Sequence, residues 1–263
     1  MNFFQSLFHR PFFIRLFNWE YWSFPAVYAC IYPIWFLLCL RARSLFFFAA
    51  ANPRIRNGGF LNESKQEIAP MIPAAWHPNT VFFSIPCNGD IVIHELERNG
   101  LRFPLIGKPN VGGRGRGVKV LKDESDVRAY VSTAFLDFHI QEYVPYKNEV
   151  GIFYCRYPNQ ERGCITGIVE KEFMSVTGNG QHSIRELLLQ NKRALMYMQS
   201  FENIHGDELG TILPNGEKRV ISPFGNHSRG ALFLDISHRS DEAFTHTIDT
   251  LCRQIPDFYY GRL

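Results

Sequence analysis

The residues best suited to chemistry lie in segment 103–120, which reads Phe-Pro-Leu-Ile-Gly-Lys-Pro-Asn-Val-Gly-Gly-Arg-Gly-Arg-Gly-Val-Lys-Val. Four glycines fall within the six residues from Gly112 to Gly117, and arginines alternate with them. Glycines let backbone N–H groups approach a phosphate closely, and Lys108 at the end of a strand would add a fixed positive charge. The pattern predicts a phosphate-binding loop, with a flexible hairpin carrying solvated arginines as the simpler alternative.

Two common nucleotide-binding motifs do not match this loop. Gly112 and Gly117 have the separation of a Walker A loop, but Val118 stands where that motif needs lysine. The glycine spacing also fails the dinucleotide fingerprint of the Rossmann fold, and no helix is predicted directly after the loop. The loop therefore belongs to neither class of protein.

The elements that must position the loop are predicted strands and helices in irregular alternation. Strands are predicted at 80–85, 103–107 and 138–144, and helices at 90–98 and 123–135. Two further strands, 149–157 and 163–173, follow each other directly and are predicted to pair antiparallel. Several adjacent strands mixed with helices favour an α+β fold over a doubly wound sheet.

The N-terminal 60 residues differ in composition from the rest. They hold 18 of the 39 aromatic residues and six arginines, with Glu20 as their single acid. Residues 21–40 are uncharged but contain Pro25 and Pro33 and are flanked by arginines on both sides. The segment is predicted to be helical, and its apolar residues fit either a membrane surface, spanning or interfacial, or burial against the main domain or a homodimer partner.

The order of elements resembles the ATP-grasp family, in which two α+β lobes clamp ATP. The resemblance rests on a strand ending in Lys108, the glycine-rich hairpin, a helix, then Ile-Gln-Glu-Tyr-Val-Pro at 140–145 and Asn-Glu-Val at 148–150. The D-alanine–D-alanine ligases, glutathione synthetases and cyanophycin synthetases are members. The resemblance implies three regions: an aromatic N-terminal segment and linker at 1–60, an N-lobe at 61–140, and an incomplete C-lobe at 141–263.

The resemblance also implies roles for residues of the N-lobe and hinge. Lys108 matches the main phosphate lysine, and Lys65 matches an upstream phosphate lysine, with an ordinary helix-surface lysine as the alternative. Gly113, Arg114 and Gly115 would form the tip of the phosphate flap. The hinge that recognises adenine would be Glu142, Tyr143, Val144 and Pro145. Glu149 would bind the ribose, although two such glutamates could also lie at a solvated strand edge.

In the C-lobe the implied roles are looser. Lys171 matches a second nucleotide-contacting lysine, and Arg229 is a candidate catalytic residue that would stabilise charge on the transferred phosphoryl group. His227 could act as a base or contact substrate, but an isolated histidine is more often a structural hydrogen-bonder. Segment 176–187 is similar to an element of cyanophycin-synthetase-like members, and Ser183 with Glu186 also forms a plain capping box.

The activity implied is that of a carbon–nitrogen ligase. ATP would activate a carboxylate as an acyl phosphate, an amine would attack it, and Mg²⁺ would bridge the phosphates. The chain ends at Leu263 where the first metal ligand of the family is expected, so no metal ligand is assigned here. A fragment or a natural truncation would explain this, and a nucleotide-binding pseudo-ligase or sensor at a membrane or partner surface is the alternative function.

Bulk composition limits the remaining classes. The net charge of +3 and the 20% content of charged residues argue against a nucleic-acid binder and against extensive disorder. Six scattered cysteines without a Cys-x-x-Cys pair suit a reducing compartment. We therefore expect a cytoplasmic protein whose ligands are ATP and a small carboxylate and amine, with membrane association through residues 1–51 as the open alternative.

Overall fold

The computed structural model describes residues 11–60, 62–113, 115–146 and 148–263. The predicted role of Arg114 therefore lies outside the described residues. The helices are α1 Pro11–Phe17, α2 Phe24–Tyr28, α3 Ile31–Ala42, α4 Lys65–Ile68, α5 Gly89–Arg98, α6 Glu124–Thr133, α7 Ile184–Gln190, α8 Lys192–Leu195, α9 Met198–His205 and α10 Glu242–Gln254.

The strands are β1 Thr80–Phe83, β2 Leu105–Pro109, β3 Lys119–Leu121, β4 Phe138–Glu142, β5 Glu149–Cys155, β6 Cys164–Glu172, β7 Ser175–Thr177, β8 Lys218–Val220, β9 Leu232–Asp235 and β10 Tyr260–Arg262. They form two four-stranded sheets, of order β1-β4-β2-β3 and β10-β5-β6-β9, and a two-stranded sheet of β7 and β8. Antiparallel pairing with interspersed helices confirms the α+β class predicted from the sequence.

Contacts divide the chain into two compact units. One unit comprises residues 1–47 and 171–233, and the other comprises residues 48–170 and 234–263. The second of these, called the loop unit below, contains the glycine-rich loop and the β1-β4-β2-β3 sheet. The first, called the aromatic unit, contains α1 to α3 and α7 to α9.

The loop unit buries one face of its β1-β4-β2-β3 sheet against α5 and α6. Alternate strand residues such as Phe83, Leu105 and Ile140 join Val92 and Val127 of the two helices in one hydrophobic core. Asp123 caps α6, because its side chain accepts from the N–H of Asp126. The other face of the sheet is left for polar residues, since strand side chains alternate between faces.

In the aromatic unit, α7 to α9 surround a second core that includes Leu188, Phe201 and Leu213. The capping box predicted at Ser183 and Glu186 is present at the start of α7. The apolar stretch 21–40 forms two helices, α2 and α3, with Pro25 and Pro33 in their first turns, where the missing N–H is tolerated. Within the described ranges, no helix combines the length and apolar character required to cross a membrane.

Candidate functional site

A pocket of about 190 Å³ lies on the polar face of the β1-β4-β2-β3 sheet. In the antiparallel register, Lys108 of β2 stands opposite His139 of β4, and Thr80 of β1 stands opposite Gln141 of β4. Side chains of directly opposed residues share a face, so these four line the same floor. Lys65 and Ile68 of α4 close one side of the pocket. The strand alternation therefore builds a cationic cavity on the face that the helices do not cover.

Two lysine side chains meet in this pocket without a carboxylate. The Lys108 ammonium donates to the Gln141 side-chain oxygen, and the Lys65 ammonium donates to the backbone carbonyl of Asn110 at 3.0 Å. Of the residues that the structure describes, none places a carboxylate within ion-pair distance of either ammonium. Neutral oxygens alone therefore hold two partly buried cations, and the pocket suits an anion.

The pKa values of these groups reflect that surplus of positive charge. Burial, followed by the charge of Lys65, lowers the pKa of Lys108 to about 8. Burial likewise lowers the pKa of Lys65, against a smaller opposing effect of the Glu63 carboxylate. Burial and then the charges of Lys108 and Lys65 lower the pKa of His139 to about 4. His139 is therefore neutral near pH 7, while Lys108 is mostly protonated.

Asn110 joins the start of the loop to the other parts of the pocket. Its side-chain oxygen accepts from the Gln66 N–H at 3.0 Å and lies 3.1 Å from His139 Nε2. Because that oxygen already accepts from an N–H, His139 must carry its proton on Nε2 and donate. Ser64 Oγ lies 3.2 Å from the same oxygen. The sequence analysis missed Asn110, His139 and Gln141, although the polar-apolar alternation from Phe138 to Gln141 marks two of them as facing one side.

The base of the glycine-rich loop is anchored, and its tip is open. The Tyr130 hydroxyl donates to the Gly117 carbonyl at 3.0 Å. A side-chain carbon at Gly107 would lie 2.9 Å from the Tyr130 ring, so only glycine allows this packing. At Gly112 and Gly113 an added carbon would meet open space among the described residues. The loop tip can therefore approach a ligand while α6 holds its base.

The predicted adenine hinge follows β4 directly. Glu142 ends β4 opposite Leu105, which places its side chain by alternation on the face away from Lys108. The Glu142 N–H donates to the Asn79 carbonyl at 2.9 Å. Tyr143, Val144 and Pro145 are exposed, and Glu149 begins β5. The structure thus brings Lys65 and Lys108 into one pocket, whereas the hinge side chains lie beyond the end of the strand that forms its floor.

The remaining predicted residues belong to the aromatic unit. Lys171 lies near the end of β6 and is half-buried. The guanidinium carbon of Arg229 lies 4.2 Å from the centre of the Phe224 ring, a cation–π arrangement. These positions leave the predicted roles of Lys171 and Arg229 as proposals.

His227 belongs to a paired cluster with Glu20 and Arg193. Its Nε2 lies 2.8 Å from a Glu20 carboxylate oxygen, and its Nδ1 lies 3.1 Å from an Arg193 nitrogen. Arg193 also pairs with Glu20 and donates to the carbonyls of Gly230 and Ala231 at 2.9 and 2.6 Å. Because Arg193 donates to Nδ1, the ring proton lies on Nε2 and points at Glu20. Burial is the largest cause of the lowered pKa of His227. This arrangement matches the structural alternative for that histidine.

Across the described parts of the chain, no three His, Cys, Asp or Glu side chains come together in a way that could hold a metal ion.

Comparison with known proteins was made for sequence and for structure. No protein-family model matches the sequence, and no curated protein matches it significantly. Solved structures do match. The D-Ala:D-Ser ligase of Enterococcus faecalis is 15% identical with a TM-score of 0.44, over 76% of this chain and 46% of the ligase. The D-alanine–D-alanine ligase of Bacillus anthracis is 13% identical with a TM-score of 0.41, over 76% and 50%. The N5-carboxyaminoimidazole synthetase of Staphylococcus aureus, solved with ADP, is 16% identical with a TM-score of 0.34, over 75% and 52%.

The three matched proteins are ligases and a synthetase by name, and the chain spans about half the length of each. The identities are below 20% and the TM-scores are below 0.5, so no family and no residue role is assigned to this chain from them.

Proposed function

We propose that the pocket of the loop unit binds the phosphates of ATP. The observation that carries this proposal is the pair of lysines, Lys65 and Lys108, in one pocket without a carboxylate. Holding two like charges together in a partly buried place is unfavourable, and an anion with several oxygens removes the cost. A polyphosphate suits it better than a carboxylate because it can bridge both ammonium groups and still meet the backbone of the open loop tip.

The neutral groups of the pocket complete this proposal. Asn110 holds the beginning of the loop against α4, so a phosphate between the lysines would also lie near Gly112 and Gly113. His139, neutral with its proton on Nε2, adds no charge of its own. By the resemblance, Arg114 and Gly115 would cover the phosphates, residues 142–145 would receive adenine, Glu149 would bind ribose and Lys171 would contact the nucleotide.

The reaction that we propose is ATP-dependent joining of a carboxylate to an amine. In it the carboxylate oxygen attacks the terminal phosphorus, ADP leaves, and the amine then displaces phosphate from the acyl phosphate. Arg229 would stabilise the transferred charge. The neighbours in fold are ligases and synthetases by name, which agrees with this class of reaction. Since the described residues form no magnesium site, no step is assigned to that ion.

Isothermal titration calorimetry with ATP tests the binding proposal. Lys108→Met keeps the apolar stem and removes the charge, so we expect ATP affinity to fall about 10- to 100-fold, equivalent to one charge-assisted hydrogen bond. Lys119→Met is the matched control, because Lys119 lies exposed on the adjacent strand β3. Its affinity should equal that of the wild type. Equal affinities for all three proteins would refute the assignment of the pocket.

Turnover tests the reaction class separately. We expect ADP to form from ATP only when a carboxylate and an amine are both supplied, as measured with pools of small acids and amines. An intact binding isotherm with no acid-dependent ADP formation would favour the nucleotide sensor over the ligase.

A further inference from the structure

Residues 11–46, which comprise α1 to α3 and their flanks, expose large apolar side chains at high density. Those with more than half of their surface exposed include Phe12, Trp19, Ile34, Phe36, Leu37 and Phe46. Monomeric proteins seldom leave so large an apolar area in water, and such areas mark interaction surfaces. We infer that residues 11–46, here called the aromatic anchor, embed in the surface of an anionic lipid bilayer without crossing it.

The distribution of the exposed residues around α3 argues for lipid over a protein partner. Of the twelve residues of α3, only Cys39 is buried. Ile34 to Leu38 are five consecutive exposed apolar residues, and at 3.6 residues per turn they point in every direction around the helix. A helix that is apolar on all sides is covered either by the core of a large protein or by lipid. The exposed arginines on both sides of this apolar stretch favour lipid.

The length of α3 sets the depth of the anchor. Twelve residues extend about 18 Å, well short of the roughly 30 Å hydrocarbon core. Trp19 and Trp22 suit the interfacial region, where an indole ring can bury its apolar body and keep its N–H near polar groups.

The charges of the anchor select anionic lipid. Arg15, Arg41 and Arg43 are exposed. Glu20 is the single acid in residues 1–60, and it is already engaged by Arg193 and His227. A second copy of the chain on this surface would bring arginines together with no free acid to offset them, which is unfavourable. Anionic headgroups supply the missing negative charge.

Vesicle flotation of the full chain tests this inference, since aggregates sediment while vesicle-bound protein floats. Protein in non-ionic detergent is mixed with preformed vesicles, and the detergent is removed before centrifugation. We expect strong flotation with phosphatidylcholine–phosphatidylglycerol vesicles and weaker flotation with phosphatidylcholine alone. The variant Arg15→Gln/Arg41→Gln should lower the partition coefficient roughly fivefold per arginine removed. The variant Phe36→Ser/Leu37→Ser should lower it about tenfold or more.

Matched controls distinguish vesicle binding through the aromatic anchor from nonspecific adsorption of the protein to vesicles. Ile204→Ser removes an equally exposed apolar residue on α9, and Arg98→Gln removes an exposed arginine on α5. Both should float like the wild type, and all variants should keep wild-type ATP affinity and circular dichroism. Absence of flotation, or equal flotation of anchor and control variants, would overturn the inference. So would sedimentation velocity showing a dimer that Phe36→Ser/Leu37→Ser dissociates while vesicles capture neither form.

Discussion

The cationic pocket of the loop unit and the charged cluster of the aromatic unit use basic residues in opposite ways. In the pocket, Lys65 and Lys108 lie together with neutral oxygens as their partners. In the cluster, Arg193 is also partly buried but meets Glu20 and two backbone carbonyls, and His227 completes the set. The first arrangement leaves both cations without an ion-pair partner, apart from the more distant Glu63 carboxylate, and the second pairs its cation directly.

The difference distinguishes a ligand-binding site from an ion-pair cluster that only stabilises the fold. Burying a cation costs free energy that a protein ordinarily offsets with an acid. Where the acid is present, as at Glu20, the contact joins the N-terminal segment to residues 193–231 and has no need of a ligand. Where the acid is missing, a ligand can supply the negative charge. Lys108 and His227 were both candidate functional residues in the sequence, and this contrast distinguishes them.

The largest effect on stability should come from removing Arg193 from the charged cluster. In Arg193→Met the Glu20 carboxylate and the carbonyls of Gly230 and Ala231 lose their donor, so the free energy of unfolding should fall by about 3–5 kcal/mol. Urea denaturation followed by circular dichroism measures it. Arg185→Met is the control, since Arg185 pairs with Glu202 at an exposed position. That change should cost about 0–1 kcal/mol. Equal losses of unfolding free energy in the two variants would mean that the Glu20 cluster does not stabilise the fold more than an exposed ion pair does.

A smaller effect on stability is expected from substitution of Asn110, which connects the loop to the other parts of the pocket. Asn110→Ala leaves the buried His139 N–H and the Gln66 N–H without their acceptor, which should destabilise the protein by about 1–3 kcal/mol. The same variant should weaken ATP binding, because the loop is no longer held against α4. Unfolding and calorimetry measure the two consequences.

Asn110→Asp supplies the pocket with a carboxylate, as Glu20 supplies one to the charged cluster. It keeps the accepting oxygen and adds a carboxylate at the residue whose backbone carbonyl Lys65 contacts. We expect stability at or above that of the wild type, with ATP affinity reduced about tenfold or more by the built-in anion. If Asp at this position left ATP affinity unchanged, the idea that missing compensation defines the site would be wrong.

Local signals explain what could be predicted from the sequence. Lys108 at a strand end, the glycine spacing after it and the Ser183–Glu186 capping box each depend on residues within a few positions of one another, and the elements formed accordingly. The helix predicted at 123–135 is observed as Glu124–Thr133 with Asp123 as its cap, because the acidic first turn is a local feature.

Contacts between distant segments could not be predicted in this way. The Glu20 carboxylate meets Arg193 across 173 positions, and the Asn110 side chain meets Gln66 across 44. Neither residue belongs to a motif, so each gains its role only when the chain folds. The prolines of the stretch 21–40 show the intermediate case. Pro25 and Pro33 are visible in the sequence, and each lies in the first turn of a helix, where it does not interrupt the helix.

Removing a cation from the pocket should stabilise the ligand-free protein, the opposite sign to the change at Arg193. Burial lowers the pKa of Lys108 to about 8, which shows that its charge is unfavourable in the folded state. Lys108→Met should therefore raise the free energy of unfolding by about 1 kcal/mol at pH 7, or the Tm by a few degrees. Differential scanning calorimetry without nucleotide measures this, and Lys119→Met should leave Tm unchanged. A lower Tm for Lys108→Met would indicate that Gln141 already compensates the charge.

The smallest predicted effect is the uptake of a proton by the pocket when ATP binds, which the charged cluster does not share. With a pKa of about 8, Lys108 is about half protonated at pH 8 in the ligand-free protein. Bound phosphates favour the charged form and raise that pKa, so ATP binding at pH 8 should take up about half a proton, and much less at pH 7. Calorimetry in buffers of different ionisation enthalpy gives the number directly. Lys108→Met should abolish the uptake, whereas Lys119→Met should retain it. Proton release, or uptake that persists in Lys108→Met, would place the phosphates away from this lysine.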